Sequence, residues 1–71
     1  MQRLRQEIAG DRRVSLTEYD GWFAVCIEVR GPDGTWEDMS LRADRDLAFA
    51  AARRRYRQRL AEQQARTIGL L

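Results

Sequence analysis

The sequence predicts an α+β fold, in which a three-stranded antiparallel sheet carries one long C-terminal helix packed on one face. WFAVCIEVR is rich in aromatic and β-branched residues, as strands are, and the GPDG that follows it is a turn sequence. After position 44 comes RDLAFAAARRRYRQRLAEQQAR, which contains no Gly, no Pro and no β-branched residue. Such a run is typical of a single helix.

The chain of 71 residues is long enough for one small domain. At its start, Leu4 and Ile8 have helical spacing, which favours a short N-terminal helix or an ordered arm. VSLTEY then alternates in polarity and predicts the first strand of the sheet. We therefore divide the single domain 1–71 into an arm or helix (1–13), an antiparallel sheet (14–43), a helix (44–66) and a tail (67–71).

The turn at Pro32 to Gly34 sets the register of the hairpin. Pro32 presets its own φ, and Gly34 can adopt the left-handed conformation that closes a three-residue loop. On the face expected to be buried, the predicted pairs are Ile27 with Met39, Val25 with Leu41 and Phe23 with Ala43. On the other face they are Arg30 with Trp36, Glu28 with Asp38, Cys26 with Ser40 and Ala24 with Arg42.

Asp44 is the predicted N-cap of the helix, and Asp46 lies in its first turn, where an acid is favourable. At 100° per residue, one apolar stripe should face the sheet. That stripe consists of Phe49, Ala52, Tyr56, Leu60 and Gln63.

The net charge of +2 is unevenly distributed along the chain. Residues 1–14 have four arginines against two acids, residues 15–44 have two against seven, and residues 45–71 have seven against two. The chain therefore has an acidic middle and a basic C-terminal part, which bears on its partners more than on its fold.

Five arginines occur within RRRYRQRL, at positions 53 to 60. One interpretation is a solvated helix face, since arginine is a good helix former. The other is a binding surface for phosphates or carboxylates, because so many like charges repel one another unless an acidic partner lies among them. The candidate binding residues are Arg54, Arg55, Arg57 and Arg59.

The outer face of the sheet is the second candidate surface. It combines aromatic residues with charged ones, as interface hot spots do, and Glu28 opposite Asp38 is a destabilising pair of like charges. The alternative is that Arg30 and Arg42 neutralise these acids and cover the tryptophan rings. The candidate docking residues are Trp22, Glu28, Arg30, Trp36, Glu37 and Asp38.

The composition favours binding over catalysis. The chain has no histidine and no lysine for acid–base work, and we expect no catalytic residue, no metal and no cofactor. Its single cysteine, Cys26, predicts a reducing cytoplasm, here that of a bacterial host cell. No stretch approaches the roughly 18 apolar residues of a membrane span, so we expect no membrane partner.

The stretch WFAVCIEVRGPDGTW, followed by a strand and an alanine-rich helix, resembles the β-β-β-α DNA-binding domains of two families. These are the arm-type domains of tyrosine recombinases and the AP2-type domains of plant regulators, and the resemblance covers residues 14–60. Trp22, Arg30, Asp33 and Gly34 carry it. It implies a sheet that lies in the major groove, but TWEDM is acidic where those families have Lys and Arg, so a DNA contact would have to come from the helix.

The sequence thus predicts a small noncatalytic binding protein, of the kind found in phages and mobile elements. We expect it to dock on a protein or nucleoprotein complex and to inhibit or adapt it, as anti-CRISPR proteins do. The first alternative is a DNA-binding module that places its helix arginines on phosphates. The second is a structural subunit of a homodimer.

Overall fold

The computed structural model describes residues 1–38 and 44–69 of the chain. It confirms an α+β fold with an antiparallel sheet and one C-terminal helix, but the prediction of three strands was wrong. The described residues form five strands in one sheet. The elements are β1 (Gln2–Ala9), β2 (Arg12–Tyr19), β3 (Trp22–Arg30), β4 (Trp36–Asp38), β5 (Asp44–Asp46) and α1 (Phe49–Thr67).

The N-terminal segment is a strand, so the predicted arm or helix over 1–13 was wrong. β1 pairs with β2 along its length, and the two strands are joined through a two-residue turn at Gly10 and Asp11. A bulge between Arg3 and Arg5 shifts the alternation of β1, and Leu4 packs against the core. Ile8, four residues later, is 55% exposed. Residues four apart also share a face of a regular strand, so this spacing does not distinguish a strand from a helix. The bulge then separates the environments of Leu4 and Ile8.

The predicted register holds at one end of β3 and fails at the other. The turn is as expected, with Gly34 at a φ of 85°, and Arg30 pairs with Trp36 and Glu28 with Asp38. Farther along, β3 pairs with β5 instead, so three predicted pairs were wrong. Phe23 pairs with Asp46 and not Ala43, Ala24 with Arg45 and not Arg42, and Val25 with Asp44 and not Leu41. The predicted partners Met39 and Ser40 lie outside the described residues.

The helix begins at Phe49, and the predicted cap at Asp44 was wrong. Ala48 is the N-cap and makes no side-chain cap hydrogen bond. Asp44 lies in β5 instead, where its carboxylate accepts a hydrogen bond from Nε of Arg59 at 2.8 Å. A tertiary ion pair to the helix has therefore taken the place of a local cap.

The core lies between α1 and the face of the sheet formed by β2 and β3. The predicted stripe holds from Ala52 onward, because Ala52, Tyr56 and Gln63 are the buried residues of the helix. Phe49, at its start, remains 42% exposed and meets Phe23 with tilted rings 5.6 Å apart. Val14, Leu16 and Val25 complete the buried cluster, with Leu4, Phe23, Ile27 and Leu60 packed around it.

The ion pair between β5 and the helix gives a first prediction. Asp44→Asn keeps the shape of the side chain and removes its charge, so we expect the free energy of unfolding to fall by about 1 kcal/mol, as measured by urea denaturation. The control is Asp20→Asn, an exposed turn residue that should change stability little. A double-mutant cycle with Arg59→Gln isolates the pair, and a coupling energy near zero would contradict its role.

Candidate binding surfaces

The structure places two of the helix arginines in ion pairs with acids. Arg59 binds Asp44 and also donates from Nη1 to Glu62 at 3.1 Å. Hydrogen bonds to Asp44 and then Glu62 raise the pKa of Arg59 above its ordinary value. Arg55 lies 3.5 Å from Asp44 and 3.7 Å from Asp46. Of the four predicted binding arginines, these two are therefore engaged within the protein itself.

The other side of the helix faces β1 across a groove of about 540 Å³. Arg53 and Arg57 line it from the helix, and neither makes an ion pair among the described residues. Arg54 is exposed and does not line the groove. We call this space the β1–helix groove; its lining residues are Leu4, Arg5, Gln6, Glu7, Arg53, Tyr56, Arg57 and Leu60.

The phenol of Tyr56 forms part of the groove wall and is only 5% exposed. Burial raises the pKa of Tyr56, the negative charge of Glu7 adds to this effect, and the positive charge of Arg5 opposes it. Tyr56 is thus a neutral, mostly covered part of the groove. The charges that a ligand would meet come from the arginines and from Glu7.

The face of the sheet opposite α1, which we call the open face, carries a cluster around Trp36. Arg13 donates to both carboxylate oxygens of Glu28, at 3.0 and 2.7 Å. Arg13 and Arg30 both lie over the Trp36 ring, with guanidinium carbons 4.9 and 4.8 Å from its centroid. Arg13, which the sequence analysis did not single out, is therefore the residue that neutralises Glu28, and Arg42 lies outside the described residues.

A second cluster forms around Trp22 at the other end of the open face. Its ring stacks on Tyr19 with centroids 4.2 Å apart and an interplanar angle of 8°, and Arg45 lies over it at 4.8 Å. Trp22, Arg45, Asp46 and Leu47 line a shallow cavity of about 440 Å³. Leu47 is 83% exposed. We call Trp22, Arg45 and Leu47 the Trp22 patch.

Sequence reasoning missed Leu47 because it placed this residue inside the helix. Leu47 lies two residues before the first helical residue, so no periodic pattern of apolar residues indicates that its side chain is exposed. Of the six predicted open-face residues, Trp22, Glu28, Arg30 and Trp36 lie on this face, and Asp38 pairs with Glu28 through its backbone. Glu37 was misplaced: it pairs with Val29, so alternation puts it on the opposite face from Trp36.

Comparison of the chain with protein-family models, with curated proteins and with solved structures found no match. Within residues 1–38 and 44–69, no group of three or more Cys, Asp or Glu side chains is placed to hold a metal ion. None of the helices described is long and apolar enough to cross a membrane.

The cluster around Trp36 predicts that Arg13 cannot be replaced by lysine without cost. Arg13→Lys keeps the charge but loses the two parallel hydrogen bonds to Glu28 and the planar contact with the ring. We expect a loss of about 1 kcal/mol in the free energy of unfolding, together with altered tryptophan fluorescence. Arg54→Lys, an exposed position with no ion pair in the described part of the chain, is the matched control and should leave both unchanged.

Proposed function

We propose that the protein is a noncatalytic binding protein that docks on a protein or nucleoprotein complex through the Trp22 patch. The observation that carries the proposal is the 83% exposure of Leu47 beside Trp22 and Arg45. Burying one such aliphatic side chain against a partner contributes roughly 1.5–3 kcal/mol. Trp and Arg are, in addition, the residue types most enriched at interface hot spots.

The Trp22 ring is already held in place before any partner arrives. It belongs to β3, which has paired strands on both sides. The ring stacks on Tyr19, and the guanidinium group of Arg45 lies over it. A side chain that is already ordered loses little conformational entropy on binding. Binding through the patch therefore needs little further ordering of Trp22.

The chemistry of the patch favours a protein partner over a phosphate backbone. Its only cation, Arg45, lies over an aromatic ring, and Asp46 lines the same cavity. Nonspecific nucleic-acid affinity comes mainly from cations on phosphates, which this patch does not offer in excess. An apolar centre with a charged rim is the usual composition of a protein interface.

We extend the proposal to a regulatory role. In this role the chain covers part of the surface of a larger complex, and so inhibits or adapts it. The most specific form of the proposal is an inhibitor of the anti-CRISPR type. Its support is the bipolar charge of the chain and the exposed Trp22 patch.

Photocrosslinking from the patch tests the proposal. A benzoylphenylalanine at position 47 should give one discrete adduct in extract of the source cells, and Trp22→Ala should abolish it. The same residue at position 68 replaces Ile68, which is 71% exposed at the end of the helix, and should give no such adduct. Circular dichroism checks that each variant is folded.

Two outcomes would contradict docking on another protein through the patch. The first is the same pattern of adducts from positions 47 and 68, which would indicate unspecific contact of exposed apolar residues. The second is an adduct of two copies of the chain. That result would favour a homodimer instead.

The second candidate function is nucleic-acid binding by the helix. It is favoured by one observation: Arg53, Arg54 and Arg57 make no ion pair among the described residues. Three phosphate contacts give a slope of about −2.7 in a plot of the logarithm of the binding constant against the logarithm of the salt concentration. Raising the salt concentration from about 50 to about 200 mM should therefore weaken binding roughly 40-fold.

Under the docking proposal, we expect no binding of a labelled random-sequence duplex at the lower of these salt concentrations. Binding with the steep salt dependence, lost in Arg53→Gln/Arg54→Gln/Arg57→Gln but kept in Arg55→Gln, would establish the alternative. Arg55 is the control because it is already paired with Asp44 and Asp46.

A further inference from the structure

We infer that the β1–helix groove is a second binding site, which takes an extended acidic peptide segment of a protein partner. This site lies on the helix side of the sheet, whereas the Trp22 patch lies on the open face. The two sites share no lining residue. Either inference can therefore fail while the other stands.

Charge complementarity is the first argument for an acidic ligand. Three arginines, Arg5, Arg53 and Arg57, line the groove against one acid, Glu7. Arg5 comes from β1 and the other two from the helix, so the positive charges lie on both walls. A carboxylate placed between these walls meets cations on two sides.

The spacing of the helix arginines fits an extended chain. Arg53 and Arg57 are four residues apart, which places them about 6 Å apart along the helix axis. Alternate side chains of an extended peptide, which point to the same side, lie roughly 6.6 Å apart. Two acidic residues at alternate positions of a peptide can therefore each face one of these arginines.

The floor of the groove favours a peptide over a nucleic acid. Leu4 and Leu60 are half-buried apolar residues that can receive an aliphatic side chain. Single-stranded nucleic acid needs exposed aromatic rings on which its bases stack. Tyr56, the aromatic residue that lines the groove, is 5% exposed and offers no such platform.

The edge of the sheet supplies a fourth argument. Within the described residues, β1 pairs only with β2, so its other edge has backbone groups available for an added strand. The bulge interrupts this edge between Arg3 and Arg5, and the register is regular from Arg5 to Ala9. A short peptide can add main-chain pairs there, while the bulge limits pairing with long strands.

Selection from a random peptide library tests the inference without knowledge of the partner. Peptides of about twelve residues, displayed on their mRNA and selected on the immobilised protein, should be enriched in Asp or Glu at alternate positions together with an aliphatic residue. We expect Arg53→Gln/Arg57→Gln to weaken the selected peptides by about tenfold or more, and Arg54→Gln/Arg55→Gln by no more than about twofold.

The second double variant removes the same charge from exposed arginines that do not line the groove. A further measurement separates strand addition from simple charge pairing. N-methylation of alternate peptide bonds in a selected peptide should reduce its affinity, and binding should slow amide exchange in β1.

Three results would overturn the inference. One is a selection in which acidic peptides are not enriched. Another is an equal loss of affinity in the two double variants, which would indicate general attraction to a basic protein. The third is binding of a thymidine oligonucleotide that is tighter than that of any selected peptide and is lost in Arg53→Gln/Arg57→Gln, because the groove would then be a phosphate site.

Discussion

One helix must cover a five-stranded sheet, and it can cover only one face. The open face has to be protected from water by its own side chains. Ser15 and Thr17 are only 2% and 7% exposed there, because they are small side chains in β2, between β1 and β3. The large residues at the ends of this face are covered by guanidinium groups, which stack on Trp22 and Trp36. The same constraint therefore produces both the cover of the open face and the aromatic and charged groups on which the docking proposal rests.

Sequence patterns predicted those parts of the fold that depend on near neighbours. Gly34 closes its turn, and the turn fixes the pairing of Arg30 with Trp36. The sequence pattern gave a wrong prediction where a contact with a distant residue outweighs the local preference for a helix cap. Asp44 is a good cap by its local sequence, but in a strand it can bind Arg59, fifteen residues away. In β1, the spacing of Leu4 and Ile8 is equally compatible with a strand, and no local pattern marks the bulge.

The sequence predicted which residue types form the candidate sites, but not which residues lie together on one surface. Counting charges identified the arginine run, but the acids that engage Arg55 and Arg59 come mainly from β5. Their position depends on where that strand pairs with β3, which the hairpin register did not reveal. Arg53 and Arg57 line the groove together with Arg5, which belongs to a strand at the opposite end of the chain. No local pattern connects these three residues.

The ion pairs on one side of the helix help to position the arginines on its other side. Arg55 and Arg59 are bound to acids of β5, and Arg66 lies 3.5 Å from Asp11. The buried residues Ala52, Tyr56 and Gln63 set the rotation of the helix about its axis, and these ion pairs reinforce it. Because Arg53 and Arg57 lie on the same rigid element, that rotation aims them at β1. The paired arginines thus help to orient the unpaired ones, so that ion pairs within the protein contribute to the preorganisation of the groove.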